Sequence, residues 1–358
     1  MTVRVYRSTD TSAPVLTGSV GTLTALLDAI LVNGYGSMTA AGWTINQTAT
    51  NKRGYKQNLT GSNNSSGMLL YVDDTGPGAG GAREARACGF ETMSAITPTG
   101  TGQFPTSAQT GIGTGQLVIR KSTSADATAR AWTCVANGQT IYLFIENGDN
   151  SSPASASGFI FGDFKPYKPS DQYAVCIIGR QVENNGSAQY DMLQMCGIGN
   201  NGNYTLNNYF GGHYIARHWT GIGGSKAFGK VFDVGRIGNG GNTGPFGSDG
   251  QASVNTYNTC NTTFGRFPGT APPYPNGPDN GMLLSPILLN HSFALRGYLP
   301  GLWAPLHDRP LTHNDTLTIT SGTLNGKSLV VQAFQAYVNS NANGENGQVL
   351  VETSDTWS

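Results

Sequence analysis

Residues 22–33, TLTALLDAILVN, form the one convincing amphipathic helix in a chain that otherwise indicates strands. The apolar residues of this stretch recur at the spacing of a single helix face: Leu23, Leu26, Leu27, Ile30 and Leu31. Thr22 is the expected N-cap, since its hydroxyl can accept a hydrogen bond from a free backbone N–H. Gly34 is expected to end the helix in the left-handed conformation. A single apolar stripe must be buried, so we predict that this helix packs on a sheet.

The rest of the sequence is typical of many short strands joined by turns. Glycine accounts for 50 of the 358 residues, about twice its usual share, and 38 % of the residues are apolar. Strand-like runs occur at 3–7, 43–47, 55–57, 67–73, 83–91, 116–121, 130–136, 140–146, 158–164, 173–180, 282–289, 294–299, 317–320, 328–334 and 348–352.

One hairpin is indicated more strongly than the others. Asn137-Gly138 separates two of these runs, and this dipeptide favours a two-residue hairpin turn because both positions tolerate a positive φ. The second arm, residues 140–146, is apolar on both faces and is therefore expected to be a central strand.

These patterns predict a mainly β fold with antiparallel, β-sandwich-like sheets, one amphipathic helix near the N-terminus and long loops rich in Gly, Asn and Pro. Residues 1–180 are expected to form an N-terminal β domain that carries the helix at 22–33, and residues 181–358 a C-terminal β-rich region. The segment at about 198–280 resembles a long loop or insertion. Because it is too long for an ordinary loop, either it contains strands that the pattern misses or it packs against neighbouring subunits.

The composition argues against several classes of protein. Lys+Arg and Asp+Glu balance at 21 each, which is not the basic footprint of a nucleic-acid binder. No apolar run has the length of a membrane span, and the N-terminal MTVRVYRSTD lacks the features of a secretory signal, so we expect neither. The five cysteines are widely spaced without a C-x-x-C pair, which indicates buried reduced thiols, at Cys134, Cys176 and Cys196 in particular, rather than a metal site.

Two glycine motifs resemble nucleotide-binding loops but lack their context. Residues 224–230 fit G-x-x-x-x-G-K, yet Val231 stands where a hydroxyl would hold Mg²⁺, and no helix is indicated after it. Residues 197–202 fit G-x-G-x-x-G, again without a following helix to bind a pyrophosphate. Both matches are expected by chance in so glycine-rich a chain, and we predict no cofactor.

The candidate catalytic side chains form no recognisable constellation. His307 with Asp308, or His313 with Asp315, could make a His–Asp pair, but structural histidines in a loop are the stronger interpretation. The spacing of the carboxylates singles out no acid–base pair among Glu84, Glu91, Asp163 and Asp191. We therefore predict no catalytic residues.

One pair of adjacent carboxylates is a candidate calcium site. Asp73-Asp74 stands at the start of a glycine loop, where carboxylates could bind Ca²⁺. One pair of carboxylates supplies too few oxygens for calcium, so a role in the turn is favoured and no metal site is predicted.

An aromatic-rich stretch in the second half is the candidate interaction site. Its members are Tyr204, Tyr209, Phe210, Tyr214 and Trp219. Aromatic side chains among adaptable polar loops are favoured at protein interfaces and can also bind sugars, whereas a small aromatic core is the structural alternative. We expect an interface here.

Five stretches resemble a family of virion structural proteins of tailed bacteriophages: VRVYRSTDTSAPVLTGSVGTLTALLDAILVNGYG, VDDTGPGAGGAREARACGFETMS, FIFGDFKPYKPSDQYAVCIIGR, GHYIARHWTG and LVETSDTW. The resemblance covers most of the chain. It implies a component of the virion, made in the host bacterial cytoplasm, but not a position on the particle. With the low charge and the lack of a catalytic constellation, our first hypothesis is a multi-copy tail, baseplate or collar protein. Its partners would be other virion proteins and copies of itself, with a host-surface glycan as a further candidate ligand. The alternatives are a capsid cement or decoration protein and a carbohydrate-binding or depolymerising, tailspike-like protein.

Overall fold

Two large antiparallel sheets, a small two-stranded sheet and one main helix make up the described part of the chain. In this computed structural model that part comprises residues 1–59, 66–110, 114–148, 157–180, 211–223, 229–231, 274–291, 294–305, 311–335 and 346–357. The mainly β, sandwich-like architecture expected from the sequence is confirmed. None of the helices in these residues is long and apolar enough to cross a membrane.

A strand overlaps each predicted run, while five further strands of the described part, at 92–95, 99–101, 165–166, 211–215 and 229–231, were not predicted. In chain order the strands are β1 (Arg4–Arg7), β2 (Thr44–Ala49), β3 (Lys52–Lys56), β4 (Leu69–Asp73), β5 (Glu84–Phe90), β6 (Thr92–Ala95), β7 (Thr99–Thr101), β8 (Leu117–Arg120), β9 (Ala131–Ala136), β10 (Thr140–Glu146), β11 (Ser157–Asp163), β12 (Lys165–Pro166), β13 (Val175–Arg180), β14 (Gly211–Ile215), β15 (Gly229–Val231), β16 (Leu284–His291), β17 (Ala294–Pro305), β18 (Thr316–Thr318), β19 (Ser328–Gln335) and β20 (Asn346–Glu352).

The first sheet has eleven strands, in the order β1-β9-β10-β11-β13-β8-β5-β4-β3-β2 with β14 beside β13. The second has seven, in the order β15-β16-β17-β20-β19-β18 with β12 beside β17. Thus β14, from the predicted insertion, joins the first sheet, while β12 joins the second. The predicted domain boundary at residue 180 stays a prediction.

Strand β10 shows how the layers are stacked. Ile141 and Leu143 on one of its faces belong to a first core, which lies between the first sheet and the helix. Tyr142 and Phe144 on the other face belong to a second core, which lies between the two sheets. Since β10 runs between β9 and β11 and both its faces are buried, the prediction of a central strand is confirmed.

The hairpin that joins β9 to β10 is also confirmed, but its turn differs from the prediction. Neither Asn137 nor Gly138 has a positive φ. Three residues, 137–139, separate the two strands, and the backbone N–H of Asn137 donates to the Thr140 carbonyl at 3.0 Å. The Asn137 side chain accepts hydrogen bonds from the backbone N–H groups of Gln139 and Thr140, at 2.8 and 2.9 Å. Asparagine thus closes this turn with its side chain rather than with a left-handed backbone.

The helix has the predicted bounds and buries its predicted stripe. It consists of α1 (Thr22–Leu27), which continues without a break as a π-helix, Asp28–Asn33. All five stripe residues are fully buried in the first core, against side chains of the first sheet: Leu23, Leu26, Leu27, Ile30 and Leu31. Gly34, with φ 79°, ends the helix as expected. A second helix, α2 (Ser107–Thr110), is a single turn.

The prediction of Thr22 as the N-cap is wrong. The cap position is Gly21, with φ 80°, and the hydroxyl of Thr22 donates a hydrogen bond to the Ser19 carbonyl at 3.0 Å. The acceptor for the helix is instead Asp74, whose Oδ2 binds the backbone N–H of Leu23 at 2.8 Å. A residue far away in the sequence therefore accepts the hydrogen bond from the first helical turn that a neighbouring N-cap residue accepts in most helices.

Asp74 also forms a fully buried ion pair. Its Oδ1 lies 2.5 Å from Nζ of Lys121, and both side chains have 0 % exposure. The lysine donates a second hydrogen bond, of 2.6 Å, to the carbonyl of Ser19. Burial raises the pKa of Asp74 and lowers the pKa of Lys121, while each charge offsets the shift of the other. Each group therefore offsets part of the cost of burying the other.

The described cysteines are buried thiols, as expected for Cys134 and Cys176, and Cys88 is buried as well. Burial raises the pKa of each of these three thiols far above its usual value, so they remain protonated and unreactive. Cys196, for which burial was also predicted, lies outside the described residues.

We expect Leu27→Ala to lower the free energy of unfolding by ~2–5 kcal/mol, because it opens a cavity between the helix and the first sheet. Urea denaturation followed by tryptophan fluorescence measures this. Val20→Ala is the matched control, since Val20 is 45 % exposed and its truncation removes little packing. If the two variants had the same midpoint, the helix would not be docked as described.

For the buried ion pair, we expect Lys121→Met to cost ~3–5 kcal/mol, because it leaves the Asp74 carboxylate buried without its cation. Adding Asp74→Asn should recover part of this loss, since the neutral amide still accepts from the N–H of Leu23. Denaturation of the two single variants and the double variant tests the coupling. Strictly additive effects would show that the two charges do not depend on one another.

Candidate interaction surface

His313, a candidate for catalysis, is held by two hydrogen bonds. Its Nε2 lies 3.0 Å from Oε1 of Glu146, and its Nδ1 accepts a hydrogen bond of 3.1 Å from the backbone N–H of Ala333. Because Nδ1 is an acceptor, the ring proton is assigned to Nε2, and that proton points at Glu146. Both nitrogens of this ring are therefore used to join β10 to β19.

The expected partner of His313 is not the one found. Asp315 accepts a hydrogen bond from the backbone N–H of Thr312 at 3.0 Å, whereas His313 pairs with Glu146. The hydrogen bond from His313 lowers the pKa of Glu146, so this carboxylate is ionised at neutral pH. The arrangement is that of a structural link. His307 and Asp308 lie outside the described residues.

The described candidate carboxylates are each bound by other groups of the fold. Glu84 pairs with Arg120 in the interior, with 3.2 Å between Oε1 and the guanidinium. Glu91 makes a two-pronged ion pair with Arg217, one hydrogen bond of which measures 2.8 Å. Asp163 accepts hydrogen bonds from Gln57 and Ser66, while Asp191 lies outside the described residues.

Asp73 and Asp74, the pair considered for calcium, face different neighbours. Oδ2 of Asp73 binds Nζ of Lys52 at 2.8 Å, and its Oδ1 accepts from the N–H and hydroxyl of Thr75. Burial acts to raise the pKa of Asp73, but the hydrogen bonds from Lys52 and Thr75 outweigh it, and the pKa is lowered. The two carboxylates thus close the turn and bind lysines separately.

The described residues contain no group of three or more His, Cys, Asp or Glu side chains placed to hold a metal ion. Of the two glycine motifs, only the end of one is described. Gly229 and Lys230 belong to strand β15, which pairs with β16, and so they do not form a loop that opens a helix. Residues 197–202 lie outside the described part of the chain.

The predicted interface residues are placed differently from one another. Tyr214 lies on β14 and is buried in the first core, where its hydroxyl donates to the carbonyl of Gln109 at 3.1 Å. Trp219 is half-buried at the surface. Tyr204, Tyr209 and Phe210 lie outside the described residues.

Trp219 stands on a tight turn, residues 217–222, which we call the Trp219 turn. Cationic side chains bind three of its carbonyl oxygens. Lys168 Nζ donates to the oxygen of Trp219 at 2.9 Å, Arg296 to that of Arg217 at 2.9 Å, and Arg217 itself to that of Gly221 at 3.1 Å. Gly221 adopts φ 89°, which a side chain would strain. The turn is therefore held in one conformation from several directions.

The anchor of this turn is a buried ion pair that connects the two sheets. Arg296 on β17 binds Oδ2 of Asp171 through Nε at 3.1 Å and through a terminal nitrogen at 2.5 Å. The same guanidinium lies over the rings of Phe164 and Trp219, 5.6 and 5.7 Å from their centroids. Desolvated charge pairs and cation–π contacts of this kind fix geometry more than exposed pairs do.

His218 completes the turn as a neutral side chain. Its Nδ1 accepts a hydrogen bond of 3.2 Å from the backbone N–H of Thr220, and its ring packs against that of Trp219 with the centroids 3.6 Å apart and the planes tilted by 31°. Burial, followed by the charges of Arg296 and Lys168, lowers the pKa of His218 below its usual value. The imidazole is therefore uncharged at neutral pH and extends the aromatic surface.

The side chains around the turn give it the chemistry of a binding surface. Tyr167 is 53 % and Ile222 62 % exposed, and the ring of Tyr167 packs against that of Tyr298 at 6.2 Å. Together with Lys168 and Trp219, these three residues form what we call the Trp219 surface. Fixed aromatic and aliphatic side chains beside a lysine are suited to burial against another protein.

Sequence reasoning identified Trp219 but missed the residues that position it. Asp171 and Arg296 are separated by most of the second half of the chain, and no local pattern couples them. Tyr167 and Lys168 lie between the predicted strands at 158–164 and 173–180, in a stretch for which the sequence predicted no site. One feature of the sequence could have pointed to these residues. Trp219, Lys168 and Asp171 all fall in stretches that carry the family resemblance.

Asp163, on β11, gives the stability of the fold a pH dependence. Burial raises its pKa to about 6, despite hydrogen bonds from Ser66 and Gln57. Because its pKa is higher in the folded than in the unfolded state, it stabilises the fold fully below about pH 4. This contribution is lost as the pH rises through about 6. We expect the unfolding free energy of the wild type to fall relative to that of Asp163→Asn between pH 4 and pH 7, by ~1–3 kcal/mol.

Urea denaturation across this pH range measures the effect. Asp126→Asn is the control, because Asp126 is an exposed carboxylate whose pKa is lowered, and it should not reproduce the trend. A difference between wild type and Asp163→Asn that does not change with pH would contradict the prediction.

Comparisons with known proteins add no residue assignment to this geometry. No protein-family model matches the chain, and no curated protein matches it. The Trp219 surface is therefore assigned on its contacts and exposure alone, and the resemblance to virion proteins remains an expectation from the sequence.

Proposed function

We propose that this protein is a structural component of a tailed-bacteriophage particle, present in several copies in the tail, baseplate or collar, and that it binds neighbouring subunits through the Trp219 surface. The observation that carries the proposal is the Trp219 turn. Three cation-to-carbonyl hydrogen bonds and the Asp171–Arg296 pair fix it before any partner arrives. Binding then orders few groups, so little entropy is lost.

The environment of the titratable groups supports a role in assembly. Backbone N–H groups bind one ring nitrogen of both His218 and His313, and Glu84 and Glu91 are paired with arginines. These groups connect strands and turns. Such structural contacts are expected of a subunit that must keep its shape when neighbouring subunits bind it.

Two further roles remain proposals of lower rank. A capsid cement or decoration protein would use the same surface against capsid subunits. Binding of a host glycan is favoured by one observation, the exposed ring of Tyr167 beside Tyr298, since sugars stack on such rings. A tailspike-like activity would require turnover of polysaccharide by the purified protein.

The test replaces Ile222 by aspartate in the phage that encodes the chain. A charge on the Trp219 surface should reduce the copies per particle by ~10-fold or more, since burying an unpaired charge costs several kcal/mol. Quantitative mass spectrometry of purified particles measures the copy number. Val20→Asp is the control, because Val20 is also an exposed aliphatic residue and lies outside this surface.

The outcomes separate the two parts of the proposal. Absence of the wild-type protein from purified particles would refute the virion role. Presence of Ile222→Asp at wild-type copy number would refute the role of the Trp219 surface. Melting curves of both variants show whether the purified chains are folded.

A further inference from the structure

The edges of the two main sheets differ in how well they are protected against another strand. The first sheet ends at β1 and β2, and the second at β15 and β18. An edge strand exposes backbone N–H and C=O groups that can pair with a further chain, and proteins usually protect such edges by charge, proline or shortness. Strand β1 carries Arg4 and Arg7, while β15 and β18 have three residues each.

Strand β2 lacks the protections of the other three edges. It has six residues, TINQTA, without a charge or a proline, and no described strand pairs with its outer edge. The sequence has no charged residue between Asp28 and Lys52, although the surrounding chain is charged on both sides. One feature works against pairing, a bulge between Ile45 and Gln47, which twists the strand locally.

The side chains of β2 are open to solvent. Thr44, Asn46 and Thr48 are exposed, and Ile45 is 39 % exposed. Apolar and uncharged polar side chains of this size can be covered by a neighbouring strand without desolvating a charge.

Both ends of β2 are fixed to the rest of the fold. Trp43, just before the strand, is buried, and its indole N–H donates to the Asn137 carbonyl at 2.8 Å. Asn51, just after it, has φ 55° and accepts from the backbone N–H of Asp74 at 2.8 Å. The strand is thus presented as a rigid template, and pairing would order little additional chain.

We propose that two copies of this chain associate through β2, which pairs antiparallel with β2 of the second copy and so continues the first sheet across a two-fold axis. Such an interface is self-complementary, because each copy offers the same strand to the other. The same pairing at β1 would bring Arg4 and Arg7 of two copies together, whereas β2 brings no like charges together. A second copy is therefore the occupant whose chemistry matches the edge.

This inference is independent of the Trp219 surface and is tested on the full-length protein. Sedimentation equilibrium over a wide range of concentrations should show a particle of twice the 37.6 kDa chain mass. Hydrogen exchange should show that the amides of β2 become protected as the concentration rises. A wild-type protein that stays monomeric at all concentrations overturns the proposal. The proposal also fails if the amides of β2 are protected from exchange only in assembled particles, by a different chain.

Charge substitutions then test the surface itself. Ile45→Lys/Thr48→Lys places like charges against one another in the paired strands and should raise the dissociation constant by ~100-fold. Ile45→Glu/Thr48→Glu should do the same, and an equal mixture of the two variants should dimerise again. Ile222→Lys is the control, because Ile222 is 62 % exposed on the Trp219 surface and should leave the dimer intact. Dimers of undiminished affinity in both charged variants would place the interface elsewhere.

Discussion

The buried contact between Asp74 and Lys121 determines how the helix meets the sheets. Asp74 follows β4 and Lys121 follows β8, so the ion pair fixes the ends of two strands of the first sheet to one another. The second carboxylate oxygen of Asp74 binds the N–H of Leu23, and its backbone carbonyl accepts from Gly21. The start of the helix is thereby held over the sheet by polar contacts that are separate from those of the apolar stripe. Removing one partner would leave the other buried and charged, which is why this contact outranks the many exposed ones.

The contact between Asp74 and Lys121 also affects the position of β2, through the helix. The helix whose first turn is bound by Asp74 ends at Gly34. The N–H groups of Ala41, Gly42 and Trp43 bind the carbonyls of Ile30 and Leu31 at that end. These bonds satisfy helix carbonyls that have no partner within the helix. Because Trp43 leads directly into β2, the position of this edge strand follows from the helix, which itself follows from the ion pair.

Local patterns predicted the elements of this fold better than its long-range contacts. The stripe of the helix and the two apolar faces of β10 are visible in the sequence, since burial selects residues at the periods of 3.6 and 2. The N-cap was missed because Asp74 is distant in sequence, and Thr22 satisfied the local rule as well as any residue could. For the same reason Trp219 was recognisable as an interface aromatic, while the Asp171–Arg296 pair behind it was not.

Charge in this chain is used mainly to fix structure. The pairs Lys121–Asp74, Arg120–Glu84 and Arg296–Asp171 are all buried, in a sequence with only 12 % charged residues. Buried pairs add little net stability over apolar packing, but each one excludes arrangements in which its charges would be separated. Since the net charge of the chain is zero, copies of it can approach one another with little net repulsion. The low content of charged residues therefore also leaves an uncharged edge strand such as β2 open to a second copy.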